Sequence, residues 1–169
     1  MSSIKKYNES DFIKLRKAGK LAALALDNIE DKILPGITTQ TIDEIIKKFL
    51  RDHNAYPAPL LYRGYPKSIC TSINHVVCHG IPSDKELKNG DILNIDVTAY
   101  LDGFHGDCSK MFCVGDISVK AKNLINVTKE CLNRSIKILK PGVHFGNIGY
   151  EIQSFAEEKG FSVVREFCG

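Results

Sequence analysis

Apolar residues recur at helical spacing in four stretches of the chain, and between the second and third of these stretches they alternate with polar residues. Spacing of i, i+3 and i+4 predicts amphipathic helices, whereas strict alternation predicts strands with one buried face. The four predicted helices span about residues 10–28, 39–53, 119–139 and 147–159. The pattern therefore predicts a mixed α/β protein.

Local signals indicate where these helices begin and end. Ser10 or Asp11 can cap the first helix, Thr39 or Thr41 can cap the second, and His53-Asn54 ends the second. The third helix carries an apolar stripe on one side, made by Leu124, Val127, Cys131, Leu132, Ile136 and Leu139.

Each helical pair is divided by a Pro-Gly break, and the residues around the two breaks match at a constant offset of 106. Pro35, Gly36, Ile37, Ile42, Ile46 and Phe49 correspond to Pro141, Gly142, Val143, Ile148, Ile152 and Phe155. A shared break and a shared apolar spacing at one offset indicate a duplicated unit. We therefore expect an α/β sandwich made from two such halves, with a site at their join and with the second half incomplete.

A β-hairpin is predicted at Asp102-Gly103, because both residues tolerate the positive φ of a tight two-residue turn. With that turn, Asp96 lies opposite Ser109 and Asp107 lies opposite Thr98. The two aspartates are then diagonal neighbours on one face of the hairpin, with Cβ atoms about 7–8 Å apart.

Two more segments are expected to be strands. Residues 68–78 alternate and lead into His79, which would stand at the strand tip before Gly80. Residues 161–167 resemble the start of another strand. The intervening segment 56–67 is rich in Pro, Gly and Tyr, and it either walls a pocket or packs on its own aromatic rings.

Asp96 lies inside an apolar run, where an unpaired buried carboxylate is costly. Two interpretations are open. Either each aspartate has an ordinary structural role, on the solvated face of an edge strand or, for Asp107, as the cap of a turn, or the two form a metal or acid–base site with His105 between them. Their place on one common face favours the site.

Size and charge exclude several classes of protein. At 169 residues the chain has the length of one domain and can bury a sizeable core. The net charge of +3 is distributed along the chain, with no basic block dense enough to predict binding of nucleic acid or an anionic membrane. No apolar run approaches a membrane span, and the polar start does not resemble a signal peptide.

The cysteines form no CxxC pair and match no zinc-finger spacing. In a chain without an export signal they favour a reducing compartment, the cytoplasm, with free and mostly buried thiols. The six are Cys70, Cys78, Cys108, Cys113, Cys131 and Cys168.

Three motifs, in order, closely resemble those of the type I methionine aminopeptidases. They are Asn74-His75-Val76-Val77-Cys78-His79-Gly80-Ile81-Pro82, Asn89-Gly90-Asp91-Ile92-Leu93-Asn94-Ile95-Asp96-Val97-Thr98 and Asp102-Gly103-Phe104-His105-Gly106-Asp107-Cys108-Ser109. The resemblance also includes residues 62–70 and covers essentially the whole chain. It implies the pita-bread (creatinase/aminopeptidase) fold, a pseudo-twofold α/β architecture that agrees with the repeat.

The resemblance further implies removal of the initiator methionine from newly made proteins when the second residue is small, by water activated between two divalent ions. Asp96 and Asp107 match the metal-binding aspartates, with Asp107 bridging both ions. His79 matches the histidine that contacts substrate and helps stabilise the transition state. The matches to the walls of the methionine pocket are Tyr62, Tyr65 and Cys70.

Two features of this family bear on the expected site. Carboxylate-rich ligation suits Co, Mn, Fe or Zn, so the sequence does not name the ion. Pro59 stands where many members carry Cys, which alters a detail of the pocket.

In the family, Phe-Cys-Gly is followed at once by a ligand His and later by two ligand glutamates, whereas this chain ends at Gly169. We therefore expect a single catalytic domain, 1–169, truncated at its C-terminal end, with one repeat at about 10–115 and the start of a second at about 116–169. The alternative is a catalytically inactive peptide-binding fragment of the same fold.

The expected partners follow from the resemblance. They are peptides with an N-terminal Met on newly made proteins and the ribosome exit region, with no DNA and no membrane, and the intact protein is expected to be a monomer.

Overall fold

The computed structural model describes residues 4–165, and the chain divides into two compact units after Ile117. The first unit contains helices α1 (Glu9–Ile29) and α2 (Thr39–Asp52) and strands β1 (Tyr56–Pro57), β2 (Cys70–Ile73), β3 (Ile92–Leu101) and β4 (Phe104–Cys113). Single 3-10 turns lie at Glu30–Lys32 and Tyr62–Gly64. The second unit contains α3 (Val119–Ile138) and α4 (Phe145–Glu158). All four predicted helices are confirmed.

Strand β3 is the centre of the sheet in the first unit. β4 pairs antiparallel with it along its whole length on one edge. On the other edge, β2 pairs with the first part of β3 and β1 with its last part, both antiparallel. Asp96 therefore lies on a central strand, which rules out the edge-strand interpretation for this residue.

The predicted hairpin and its register are confirmed. Asp102 and Gly103 both have positive φ, 53° and 86°, and join β3 to β4 as a two-residue turn. Asp96 pairs with Ser109 and Thr98 with Asp107. Pairing continues from Ile92–Cys113 to Leu101–Phe104 without a bulge, so the side chains keep a constant alternation.

The two faces of the sheet differ in chemistry because side chains alternate along each strand. The odd-numbered residues of β3 are at most 6% exposed and form the core with α1 and α2. They are Leu93, Ile95, Val97, Ala99 and Leu101.

 The even-numbered residues, among them Asn94, Asp96 and Thr98, point to the opposite face and are only partly buried. This second face, which we call the polar face, carries both predicted metal ligands.

Helix α1 packs directly against β4 through a glycine. A Cβ atom built on Gly106 would lie 2.1 Å from the backbone carbonyl carbon of Ala18, so only glycine allows the two backbones to approach this closely. Ala18, Ala22 and Ala25 are fully buried in this contact region of α1. The small residues of α1 therefore set the height of the helix above the sheet.

The helix caps differ from the prediction. The N-cap of α1 is Asn8, whose side-chain oxygen accepts a hydrogen bond from the N–H of Asp11, while the Asp11 carboxylate accepts one from the N–H of Asn8. The N-cap of α2 is Thr38, which accepts from the N–H of Thr41. The predicted caps lie one to three residues too late because several adjacent polar residues can each accept such a bond. The predicted end of α2 at His53 is confirmed.

The prediction of a strand over residues 68–78 is wrong in extent. β2 has only four residues, and all four are buried, so its apparent alternation is not a solvated face. Asn74 ends it with φ 52°, and its side-chain oxygen accepts a hydrogen bond from the N–H of Ile92. The chain from Asn74 to His79 is irregular, and His79 is therefore not at a strand tip.

In the second unit, α3 and α4 pack around a small core of Cys131, Phe155 and Ala156. Most of the predicted apolar stripe of α3 lies outside this core. Leu132, Ile136 and Leu139 are each more than 55% exposed, so only part of the stripe is buried within this unit.

The repeat predicted from the sequence agrees with the helix bounds. α4 begins and ends 106 residues after α2, and the glycines before the two helices, Gly36 and Gly142, have nearly equal φ values of 94° and 89°. α4 begins two residues before the predicted start at Asn147. Residues 161–165 are not a strand, and the rest of that predicted strand lies outside the described residues.

The described thiols are all free, as predicted, but only two of them are buried. Cys70 and Cys131 are buried, Cys78 and Cys108 are partly buried, and Cys113 is exposed. Cys168 lies outside the described residues. Within residues 4–165, no helix combines the length and the apolar character needed to cross a membrane.

Candidate metal centre

Asp96 and Asp107 meet on the polar face, where the hairpin places them on adjacent strands. Asp96 is opposite Ser109 on β4 and opposite Cys70 on β2, so it lies in the middle of a three-strand row. Asp107 is opposite Thr98 and is exposed, whereas Asp96 is partly buried. The structure therefore places the two predicted carboxyl groups on adjacent strands of one sheet face.

The proximity of these carboxyl groups changes the pKa of Asp96, which is raised to about 6. Burial is the largest cause, followed by the negative charge of Asp107 and a hydrogen bond shared with it. The positive charge of His79 acts in the opposite direction and lowers the pKa. Asp96, Asp107 and His79 therefore interact electrostatically, as members of one site would.

His79 is held in place by its backbone. It has φ 54°, an unusual value for a residue with a Cβ atom, and its side chain is exposed. The next residue, Gly80, joins β2: its carbonyl accepts from the N–H of Thr71 at 2.8 Å, and its N–H donates to the Ser72 hydroxyl. A Cβ atom on Gly80 would lie 2.1 Å from the Thr71 oxygen. The glycine thus lets the His79 segment lie directly against the sheet.

Tyr65 and Cys70 stand on the side of Asp96 away from β4. The Tyr65 hydroxyl donates to the carbonyl oxygens of Ile69 and Gly80 at 3.0 and 3.1 Å, and thereby links the tyrosine loop to the His79 segment. Burial, followed by a hydrogen bond with Cys70, raises the pKa of Tyr65. Burial also raises the pKa of the Cys70 thiol, and the charge of Asp96 raises it further. Both residues therefore border the acidic pair as uncharged groups at neutral pH.

Two residues weighed for the site make their described contacts elsewhere. Tyr62 is 63% exposed, and the Arg63 guanidinium lies 5.4 Å from its ring. The His105 ring stacks on Tyr100, with ring centres 4.8 Å apart, rather than bridging the two aspartates.

Asp43 is a buried carboxylate that the sequence analysis missed. It lies on α2, is 3% exposed, and accepts hydrogen bonds from the N–H groups of Ser68 and Ile69 at 2.7 and 3.0 Å. Burial raises its pKa, while these two bonds lower it. Asp43 therefore fixes the backbone just before Cys70 and positions one wall of the site. Its only sequence signal was an acidic residue beside the buried Ile42.

The donor set of the acidic pair fits a divalent ion. Carboxylate oxygens are suitable ligands for such ions, and a cation between the two groups would replace their repulsion by attraction. Within residues 4–165 there is no cluster of three or more His, Cys, Asp or Glu side chains that could hold a metal ion. Since a divalent ion needs about four to six ligands, Asp96 and Asp107 supply part of a coordination shell.

Two surface clefts in the described structure contain none of the predicted site residues. One, of about 300 Å³, is lined on α2 by Glu44, Lys47, Lys48, Arg51 and Asp52. The other, of about 630 Å³, is lined in the second unit by residues that include Lys137, Gly142 and Tyr150. Both are open and charged or mixed in character, so we place the candidate site at the acidic pair, where the perturbed pKa values coincide with the strand geometry.

Comparison with known proteins identifies the family of the chain. A profile of metallopeptidase family M24 matches residues 13–169. The methionine aminopeptidase of Rickettsia prowazekii (strain Madrid E) is 56% identical over 167 residues, which are 99% of this chain and 64% of that protein. A crystal structure of methionine aminopeptidase from the same species has a TM-score of 0.96, with 98% of this chain and 66% of that chain covered.

Two further structures extend the comparison. The methionine aminopeptidase of Thermotoga maritima is 35% identical, with a TM-score of 0.95 over 99% of this chain and 68% of that chain. An X-Pro aminopeptidase from Thermotoga maritima MSB8 is 23% identical, with a TM-score of 0.77 over 91% of this chain and 42% of that chain, and shows likeness of fold alone.

The chain spans about three fifths of the length of the curated relatives that it matches. Within that span, the family profile and the structural matches cover nearly all of its residues. The chain therefore belongs to metallopeptidase family M24, in the group of the methionine aminopeptidases, and has the pita-bread fold.

Proposed function

We propose that the protein is a metal-dependent aminopeptidase that removes the initiator methionine from newly made proteins. The observation that carries the proposal is the acidic pair, in which Asp96 and Asp107 share one sheet face and the pKa of Asp96 is raised to about 6. The similarity to methionine aminopeptidases supports the choice of reaction and substrate.

Membership of a metallopeptidase family implies the use of a divalent metal. We propose two ions, of Co, Mn, Fe or Zn, with Asp107 as a ligand of both and Asp96 as a ligand of one. When bound, such ions lower the pKa of water and polarise the scissile carbonyl. Asp96 and Asp107 hold this charge at the sheet surface, and the neighbouring strands fix the separation of their carboxyl groups.

His79 has the role of a donor to the substrate in this proposal. Its side chain is exposed, its charge lowers the pKa of Asp96, and Gly80 lets its backbone pack against β2. A fixed donor beside the metal ligands can stabilise the negative charge that develops on the scissile carbonyl oxygen. His79 thereby acts on the substrate and not as a metal ligand.

The methionine side chain is assigned to the surface formed by Tyr65, Cys70 and Tyr62. Tyr65 and Cys70 border Asp96 and are uncharged at neutral pH, which suits an apolar thioether. Tyr62 is exposed on the 3-10 turn of the same loop and contributes from the outer side. We also propose that the methionine is removed when the second residue of the substrate is small.

The proposal also includes the setting of the reaction. We assign residues 1–169 to a single catalytic domain that acts in the cytoplasm on nascent chains near the ribosome exit region, within a monomeric protein.

The test is peptide hydrolysis by the protein made from the complete natural reading frame that contains these residues. With Mn²⁺ it should release methionine from Met-Ala-Ser and should leave Leu-Ala-Ser intact. Asp107→Ala should abolish turnover, because it removes the proposed bridging ligand. A matched control is Asp84→Ala, since Asp84 is an exposed aspartate outside the site.

Three results would contradict the proposal: near-normal turnover in Asp107→Ala, equal cleavage of both peptides, or metal binding that is unchanged by the substitution in calorimetric titration. Binding of Met-Ala-Ser without any hydrolysis would instead favour the alternative, a peptide-binding protein of the same fold.

A further inference from the structure

The positive charge of the chain is concentrated at its N-terminal end. Residues 1–20 contain six basic residues and two acidic ones, a net of +4, whereas the whole chain carries +3. The remaining 149 residues therefore sum to −1. This corrects the sequence-based expectation that the charge is distributed along the chain.

The structure brings these cations together with exposed aromatic rings. Tyr7 and Phe12 are 43% and 42% exposed, and the Tyr7 ring lies 6.4 Å from Phe12 and 6.2 Å from Phe104 on the hairpin. The Lys5 ammonium lies 4.9 Å from the Tyr7 ring centre. We call the surface formed by Lys5, Tyr7, Phe12, Arg16, Lys20 and Phe104 the basic–aromatic patch.

Helix geometry aligns the charged part of the patch. Phe12, Arg16 and Lys20 are spaced four residues apart on α1, so they follow one another along one face. All three are exposed. Neither Arg16 nor Lys20 has an ion-pair partner among the described side chains of residues 4–165. Their charges are therefore available to an external anion.

The acidic residues near the patch are few and mostly engaged. Asp102 pairs with Lys17 at 2.7 Å, and Asp11 caps α1 by accepting from the N–H of Asn8. Glu9 is the remaining acidic side chain in the segment. The local field is therefore positive, and it attracts anions at moderate salt.

The packing of α1 distinguishes between possible anionic partners. Insertion into a membrane needs a continuous apolar helix face, but most of the apolar face of α1 is buried against the sheet, for example at Leu21 and Leu26. Ile13 and Leu24 are exposed on α1, but the exposed cations Lys17 and Lys20 lie between them, so they form no continuous apolar face. What the patch offers instead is exposed aromatic rings beside cations. Such rings stack with unpaired bases, while the cations follow a phosphate backbone.

We propose that the basic–aromatic patch binds single-stranded RNA, with Tyr7 and Phe12 stacking on bases and Arg16 and Lys20 contacting phosphates. The partner is RNA because folded RNA displays unpaired bases in its loops and ends. The proposed site lies on α1 and the preceding segment. It does not depend on the proposed peptidase activity.

The test is fluorescence anisotropy of a labelled oligouridylate titrated with the protein made from the complete natural reading frame, between about 0.05 and 0.2 M salt. The variant Arg16→Gln/Lys20→Gln removes two phosphate contacts, so the slope of log affinity against log salt should fall by about 1.4 and the affinity near 0.1 M salt by roughly 25-fold. The matched control is Lys120→Gln/Lys122→Gln, which removes the same charge from exposed positions of α3 and should leave both quantities unchanged.

Phe12→Leu separates base stacking from simple apolar contact, because leucine keeps apolar surface and loses the ring. It should lower the affinity at least about fivefold. Circular dichroism should show an unchanged fold in all variants, since the substituted side chains are exposed.

The proposal is overturned if the chain does not bind the oligonucleotide, if both charge variants lose affinity equally, or if a duplex of equal charge binds as tightly as the single strand. It is also overturned if Phe12→Leu binds like the parent, or if phosphatidylserine vesicles capture the chain and prevent RNA binding, since a membrane would then be the partner.

Discussion

Two carboxyl groups on adjacent strands repel each other whenever both are ionised, and Asp96 carries most of the consequence because it is partly buried. Its pKa of about 6 means that, without a bound cation, Asp96 keeps its proton up to a pH well above the usual pKa of an aspartic acid. A divalent cation would remove this penalty and displace the proton. The same pair therefore lowers stability in the absence of a cation and is the proposed ligand set for one.

The sign of the effect on stability follows from the direction of the shift. Between pH 3.8, the ordinary pKa of an aspartic acid, and about pH 6, the folded protein holds a proton that the unfolded chain has released. The free energy of unfolding therefore falls as the pH rises through this range. The stabilising contribution of protonated Asp96 is present at low pH and is lost as the pH passes through about 6.

We therefore expect Asp96→Asn to raise the free energy of unfolding at about pH 7.5 in the presence of a chelator. After discounting for solvent screening, the gain should be about 1–2 kcal/mol. At about pH 4 the difference should shrink toward zero. Urea denaturation at the two pH values measures both quantities, and Asp84→Asn, an exposed aspartate, is the control. An equal gain at both pH values would contradict the assignment.

At the residue scale, the sequence predicted what depends on near neighbours. The Asp102-Gly103 turn determined which side chains face each other, and so it placed Asp96 and Asp107 together. Asp43 was not predictable in this way because its partners, the N–H groups of Ser68 and Ile69, are 25 and 26 residues away. No local spacing encodes such a contact.

The Asp43 contact can be tested directly. Asp43→Ala leaves the buried N–H groups of Ser68 and Ile69 without an acceptor, and it should lower the free energy of unfolding by about 2–4 kcal/mol. It should also increase alkylation of the buried Cys70, measured by mass spectrometry. Asp43→Asn retains one acceptor oxygen and should lose less than half as much. Equal losses in the two variants would show that volume, not hydrogen bonding, matters here.

At the scale of elements, the contact between α1 and β4 lies directly behind the candidate metal centre, on the opposite face of the sheet. Gly106 lies against Ala18 on the buried face, and the next residue, Asp107, points to the polar face. The position of the carboxyl group therefore depends on how closely the helix approaches the strand. Helix existence and strand pairing were predictable, but this approach was not, because it depends on backbone atoms from distant segments.

Gly106→Ala should be strongly destabilising, because its Cβ atom would lie 2.1 and 2.2 Å from the carbonyl carbon and oxygen of Ala18. The free energy of unfolding should fall by about 3 kcal/mol or more. Gly19→Ala is the matched control on α1: nothing lies within 4 Å of its added methyl group, and helix propensity should give a gain of about 0.5–1 kcal/mol. Thermal unfolding measures both, and a tolerated Gly106→Ala would disprove the close packing.

The ends of elements were less predictable than the elements. Asn8 and Thr38 cap their helices because each accepts a bond from an N–H three residues later, yet neighbouring polar residues have the same local chemistry. The short β2 was overestimated because Asn74 turns the backbone to a positive φ, which alternation of side chains does not reveal.

At the scale of the whole molecule, the two units bury their apolar residues to different extents. The first unit contains most of the fully buried core, whereas the second has a small core around Cys131 and Phe155. Leu132, Ile136 and Leu139 remain exposed along α3. The sequence predicted their spacing correctly, but spacing alone could not show which apolar positions find partners within the same unit.

When residues 1–169 are made alone, this exposed row should cause them to self-associate, since contiguous apolar surface favours association in water. Leu132→Lys/Ile136→Lys should lower the average mass seen by sedimentation equilibrium without changing the helix content. Val119→Lys is the control, because Val119 is 77% exposed at the start of α3 and lies apart from the row. An unchanged mass in the double variant would show that α3 does not drive association.

The left-handed backbone at His79 affects how this residue can be studied. With φ at 54°, β-branched replacements would strain the main chain. Alanine would also have a higher conformational energy there than asparagine, which adopts the left-handed region more readily. A kinetic defect in an alanine variant would then combine a lost donor with a displaced loop. Asparagine tolerates this conformation and keeps a hydrogen-bonding side chain. Comparing the asparagine and alanine variants therefore separates the effect of losing the imidazole from the effect of displacing the loop.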